Sequence, residues 1–207
     1  MKTILCFGDS NTWGAIPGEN RRYSHQERWP ALLRGLLPTD WHIIEEGQPG
    51  RTTVFDDPFE GNKNGLKYLR PCLESHHPDL VVIMLGTNDL KHRFGLSASD
   101  ISRGAARLVE EVYQFTSLAI DKHPKVLLVA PPPVKEAGPH RDMFIGAEEK
   151  SKALAKFYAL RADELKCAFF DAGFVVESCP IEGIHWQVEQ HKNMASAVSI
   201  KILSLFS

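Results

Sequence analysis

No apolar run in this chain is long enough to span a bilayer, which argues against a transmembrane helix. The first residues lack a basic segment followed by a long apolar stretch and a cleavage site. They read as a strand, so no secretory signal peptide is expected. Cysteine is scarce. Cys6, Cys72, Cys167 and Cys179 are scattered without metal-ligand spacing, and free thiols in a reducing cytoplasm are the expectation. Excess charge is missing too: a net charge of −2 gives no reason to expect nucleic acid or a membrane as partner. Repeats and low-complexity linkers are absent, so residues 1–207 read as one domain, long enough for a full core.

What is present is a regular alternation of apolar strands and amphipathic helices. Ile4–Phe7, His42–Glu46, Leu80–Leu85, Val126–Ala130 and Ala168–Phe170 are short runs that predict strands. Between them, Glu27–Leu37 places Trp29, Leu32, Leu33, Leu36 and Leu37 on one helical face. Asn62 is the expected cap of a helix reaching His76, which Pro71 should kink or divide. Ser97–Asp100 starts a helix whose apolar positions step from Ile101 to Ala119. A further helix is expected from about Gly146 to Leu165, and the last runs from Val188 to the C-terminus. Strand, helix, five times over, predicts an α/β fold: one five-stranded parallel sheet with helices on both faces.

In such a sheet the carboxyl ends of the strands share one edge, where ligands and reactive groups gather. Ser10 follows the first strand in Gly8-Asp9-Ser10, and it is the candidate nucleophile. On its own this is ordinary turn chemistry, or a loop that could cradle phosphate at a helix N-terminus. A serine hydroxyl becomes reactive only with a base, a group orienting that base, and donors for the oxyanion. His185 offers the base, and Glu182, three positions earlier in the same glycine-containing loop, offers the orienting carboxylate. Asn88 can present a side-chain amide N–H, and Gly50 a backbone N–H without a side chain in the way. With the N–H of Ser10 itself, these would make an oxyanion hole. Asp9 is expected to organise the nucleophile turn, and Asp89 to cap its loop or the following helix.

Gly8-Asp9-Ser10, the glycine after the second strand, Gly86-Thr87-Asn88-Asp89 and the late carboxylate–histidine pair resemble the four blocks of the SGNH (GDSL-type) hydrolases. The likeness covers essentially the whole chain and is greatest to the bacterial arylesterase/acyltransferase branch. It implies a flavodoxin-like three-layer α/β/α sandwich, with Ser10 as nucleophile, Gly50 and Asn88 as oxyanion donors and His185 as base. It implies action on short-chain, aryl or acetylated-sugar esters, with transfer to alcohols in some members, and homo-oligomers that bury the active site. The family pattern has aspartate where this chain has Glu182. The longer side chain either completes a triad or points away and leaves a Ser–His dyad.

The expected reaction is a two-step acyl transfer through an acyl-Ser10 intermediate, with no metal or organic cofactor. Trp13, Ile16, Phe144, Ile145 and Trp186 lie in or beside the site loops and are the candidate pocket residues, with core or interface packing the alternative. Two rival functions are an acyl-thioesterase or lysophospholipase on the same scaffold, and a non-catalytic flavodoxin-like phosphate or flavin-binding module.

Overall fold

The computed structural model describes residues 1–117 and 121–207. Its strands are β1 (Lys2–Gly8), β2 (Trp41–Gly47), β3 (Leu80–Met84), β4 (Lys125–Ala130) and β5 (Ala168–Asp171). They form one parallel sheet in the order β2-β1-β3-β4-β5. The helices are α1 (Ser10–Trp13), α2 (Trp29–Leu36), α3 (Gly65–His76), α4 (Ala98–Tyr113), α5 (Ala147–Lys152), α6 (Leu154–Leu165) and α7 (Val188–Phe206).

The two-residue period of a strand sorts its side chains onto opposite faces. Leu5, Phe7, Val81, Ile83 and Leu128 pack with α3, α4 and α6, whereas Ile4, Cys6, Val82, Leu127 and Val129 pack with α2 and α7. Both faces are covered, so the central strands are continuous apolar runs; all of β3 is buried. The result is the expected three-layer α/β/α sandwich.

Helix boundaries depart from the sequence pattern in four places. Asn64, not Asn62, caps α3, accepting the N–H of Leu66 at 3.1 Å. The helix then continues through Pro71, which is exposed, so the carbonyl that the ring leaves unpaired can be met by water. Helix α4 begins with the expected capping box between Ser97 and Asp100 but stops at Tyr113; Ala119 lies outside the described residues. The helix expected over 146–165 is two, with a break at Ala153. Among the described residues, no helix is long and apolar enough to cross a membrane.

The sheet order places the topological switch between β1 and β3: the chain leaves β1 toward one edge for β2, then returns past it to β3. The crevice at that point lies between the loops that carry Ser10 and Asn88.

Candidate active site

The nucleophile turn closes on its own residues. Asp9 caps α1, accepting the N–H of Asn11 at 2.9 Å. The N–H groups of Gly14 and Ala15 return to the Ser10 carbonyl at 2.8 and 2.9 Å, closing the turn. Burial raises the Asp9 carboxyl to about 6, against the hydrogen bond from Asn11 and the nearby His185. As expected, Asp9 organises the turn.

The loop from Cys179 to Trp186 closes through the N–H of Gly183 on the Cys179 carbonyl and the N–H of Cys179 on the His185 carbonyl, both at 2.8 Å. Inside it Glu182 is fully enclosed, at 1% exposure. Its Oε1 accepts the backbone N–H of Ile184 at 3.0 Å and that of His185. Its Oε2 is 2.7 Å from His185 Nδ1, and His185 Nε2 is 3.0 Å from Ser10 Oγ. Burial pushes the Glu182 carboxyl up, but the His185 side chain and the two backbone donors outweigh it and hold it below its ordinary value. The longer glutamate therefore reaches the imidazole, which rules out a Ser–His dyad with the carboxylate turned away. The side-chain amide of Asn11 donates to the Ile184 carbonyl at 3.2 Å and ties the two loops together.

Ser10, Gly50, Asn88 and His185 line one cleft of about 180 Å³. Gly50 has φ +81° in the turn after β2. Asn88 Nδ2 donates to the Arg51 carbonyl at 3.1 Å, and a side-chain amide has a second N–H to offer. Arg51 is buried across the ends of β1 and β2, donating to the carbonyls of Gly8 and Glu46, with its guanidinium 4.2 Å from the Phe7 ring centre. Burial lowers its pKa. Asp89 does not cap its own loop or the next helix. It accepts the N–H and hydroxyl of Thr53, clamping the loop after β3 to the loop after β2. Burial raises its carboxyl to about 6, even against the Thr53 hydrogen bonds.

Of the predicted pocket residues only Phe144 lines this cleft, beside Met143 and Ile184. Trp13 instead stacks beneath the Arg22 guanidinium, 5.3 Å away. Ile16 lines a separate depression with Tyr23 and Cys179. Ile145 is half-exposed, and Trp186 is fully buried in the core against His191. Residues adjacent in sequence to site residues often face away from them. Sequence reasoning missed Glu60, Lys91 and His140, which add charged and polar groups to the cleft lining. Lys91 is 3% exposed and is held by Glu60 at 2.6 Å and Asp57 at 3.6 Å, and Arg93 pairs with Asp57 at 2.7 Å. His140 Nε2 is 3.3 Å from Glu182 Oε2. Among the described residues, His140, Glu182 and His185 are the one cluster whose side chains could together ligate a metal.

An imidazole held this way can accept a hydroxyl proton at Nε2 while its Nδ1–H rests on a carboxylate. The profile of the GDSL-like lipase/acylhydrolase family matches residues 6–191. A carbohydrate acetylesterase from Sinorhizobium meliloti superposes with a TM-score of 0.94 at 41% identity, covering 99% of this chain and 100% of that one. An aryl esterase from M. smegmatis gives a TM-score of 0.94 at 40% identity, with the same coverage. A lipase/acylhydrolase from Enterococcus faecalis, at 20% identity and a TM-score of 0.68 over 99% of this chain and 96% of that one, shares the fold. A search of curated protein sequences returns no significant match. The chain belongs to the GDSL-like lipase/acylhydrolase family and is a serine-type carboxylic ester hydrolase.

Proposed function

We propose that this hydrolase removes short acyl groups, acetyl above all, from aryl or sugar esters through an acyl-Ser10 intermediate. The observation that carries the reading is the unbroken relay from Ser10 Oγ through His185 to Glu182, at 3.0 and 2.7 Å. His185 Nε2 takes the Ser10 proton as Oγ attacks the ester carbonyl. The oxyanion is met by the N–H groups of Ser10 and Gly50 and the Asn88 amide. The alcohol leaves with the proton from His185. Water then attacks the acyl-enzyme by the same steps, and an alcohol in its place completes an acyl transfer.

The cleft volume supports the preference for short acyl groups. At about 180 Å³ it is smaller than the 300 Å³ or more of common drug-sized ligand sites. Phe144, Met143 and Ile184 give it apolar lining, while Glu60, Lys91 and His140 add polar groups suited to a hydroxyl-bearing alcohol. The likeness to a carbohydrate acetylesterase supports the sugar-ester half of the proposal. Four free cysteines support a cytoplasmic setting. Exposed Phe174 and Ile200 support self-association, which light scattering of the purified protein tests.

Initial rates on p-nitrophenyl esters from acetate to decanoate test the acyl preference. The expected kcat/KM falls by roughly tenfold or more between acetate and octanoate. A series that stays flat or rises with chain length overturns it in favour of a lipid or thioester substrate.

A further inference from the structure

The Glu182 carboxylate faces two imidazoles, and the hydrolytic relay uses only one. Its Oε1 is fixed by the backbone N–H groups of Ile184 and His185. Its Oε2 is left facing His185 Nδ1 at 2.7 Å and His140 Nε2 at 3.3 Å. The two rings stand at 79°, their centres 5.8 Å apart, and the three donor atoms lie within 4.8 Å of one another. Both histidines line the cleft, and buried Glu182 closes the site from within.

Two imidazole nitrogens and one carboxylate oxygen suit a borderline dication such as Zn²⁺; Mg²⁺ and Ca²⁺ favour oxygen alone. Donor atoms about 2.0–2.2 Å from a tetrahedral zinc sit about 3.3–3.5 Å from one another. His140 Nε2 and Glu182 Oε2 already stand at 3.3 Å, and His185 Nδ1, now 2.7 Å from Oε2, has to part from it by roughly 0.6–0.8 Å to admit the ion. Hydrogen bonds to the second carboxylate oxygen supply the outer shell that keeps such a ligand rigid.

We propose that His140, Glu182 and His185 form a binding site for Zn²⁺-class dications whose occupancy switches the hydrolase off. The inhibition rests on the reading of His185 as the base; the binding does not. The metal takes the lone pair at His185 Nδ1, and the proton of that nitrogen passes through solvent to Nε2. Nε2 then meets Ser10 Oγ as a donor and cannot receive its proton. Water fills the remaining metal position on the cleft side. No bond in the ester is made or broken, so a chelator restores the free enzyme.

Two measurements separate the binding from the catalysis. The first is calorimetric titration of ZnCl₂ into the Ser10→Ala protein and into the same protein carrying His140→Gln, both checked for folding by circular dichroism. His140→Asn stands in should the glutamine variant fail to fold. One zinc per chain is expected in the first, with affinity roughly tenfold or more weaker once His140 is replaced. The second is inhibition of p-nitrophenyl acetate hydrolysis by Zn²⁺, each protein scored against its own uninhibited rate. Inhibition that EDTA reverses, that equal Mg²⁺ does not reproduce, and whose midpoint rises about tenfold on loss of His140 supports the site. Absence of zinc binding up to millimolar concentration overturns it, as does affinity unchanged by the His140 variants. Zinc binding that depends on His140, with a parent protein of intact Ser10 that hydrolyses p-nitrophenyl acetate at the same rate with zinc bound as without it, upholds the site and refutes His185 as base.

Discussion

The nucleophile turn and the histidine loop meet across 3.0 Å, yet they are held in opposite ways. Between Gly8 and Gly14 the helical turn closes locally, with Asp9 capping Asn11 and the Ser10 carbonyl collecting the N–H groups of Gly14 and Ala15, while Arg51 holds Gly8 and Asn11 reaches Ile184. The histidine loop also leans on a distant segment. The N–H of Lys135 donates to the Gly183 carbonyl at 2.9 Å, and the Ser178 hydroxyl to the Pro133 carbonyl at 3.0 Å. One half of the site carries its own helix cap and is anchored to the loop after β2, whereas the other is cast against the chain that follows β4.

Glu182→Gln breaks the comparison hardest. A glutamine can still accept the two backbone N–H groups, but its amide then faces His185 as a donor and disfavours the productive tautomer. The expected loss in kcat is roughly 10²–10⁴-fold with little change in melting temperature, read from steady-state rates and a thermal melt. A rate close to that of the parent protein would remove Glu182 from the relay.

Gly183→Ala tests the casting. Gly183 has φ +85°, and an added Cβ would stand 1.9 Å from the Lys135 carbonyl oxygen, a backbone atom that cannot step aside alone. A stability loss of about 2–4 kcal/mol is expected, with activity falling alongside it. Gly18 has φ +73° but open space around it, so Gly18→Ala should cost only about 1 kcal/mol, the left-handed backbone penalty alone. Equal losses at the two positions, in chemical denaturation, would show that the segment after β4 carries no part of the loop's shape.

A modest, pH-dependent effect sharpens the nucleophile side. The Asp9 carboxyl holds its proton up to about 6 in the folded protein, against 3.8 ordinarily, because burial disfavours its charge. Between those values the native state binds more protons than the unfolded one, so this group's contribution to stability falls as pH rises through the window. Asn caps a helix as well as Asp does and carries no charge. Asp9→Asn should therefore be more stable than the parent by about 1–2 kcal/mol at pH 7, with the gap closing below about pH 4. Melts across that range check the sign.

The same contrast decides what could be seen in the residue order. The strands, Ser10, and the pairing of Glu182 with His185 were legible because apolar period, turn chemistry and a three-residue spacing are short-range signals. Asp9 as the organiser of its own turn was legible for the same reason. The reach of Asp89 to Thr53 was not, since it joins two loops that only the parallel sheet brings together. His140, Lys91 and Glu60 were invisible for that reason too: each sits in a stretch that reads as polar loop, and only the fold turns it toward the cleft. Trp13, Ile16 and Trp186 were chosen for their nearness along the chain, but a residue beside a site residue points elsewhere as readily as toward it. Trp186, next to His185, faces the core.

The hydroxyl and the imidazole that meet in this cleft are 175 positions apart. A ribosome making this protein therefore displays the serine long before its base exists. Any copy released before His185 is added carries a hydroxyl with no partner to deprotonate it. Ester cleavage through this relay therefore requires a folded chain that extends at least to His185, and fragments that end before it are silent without any separate inhibitor.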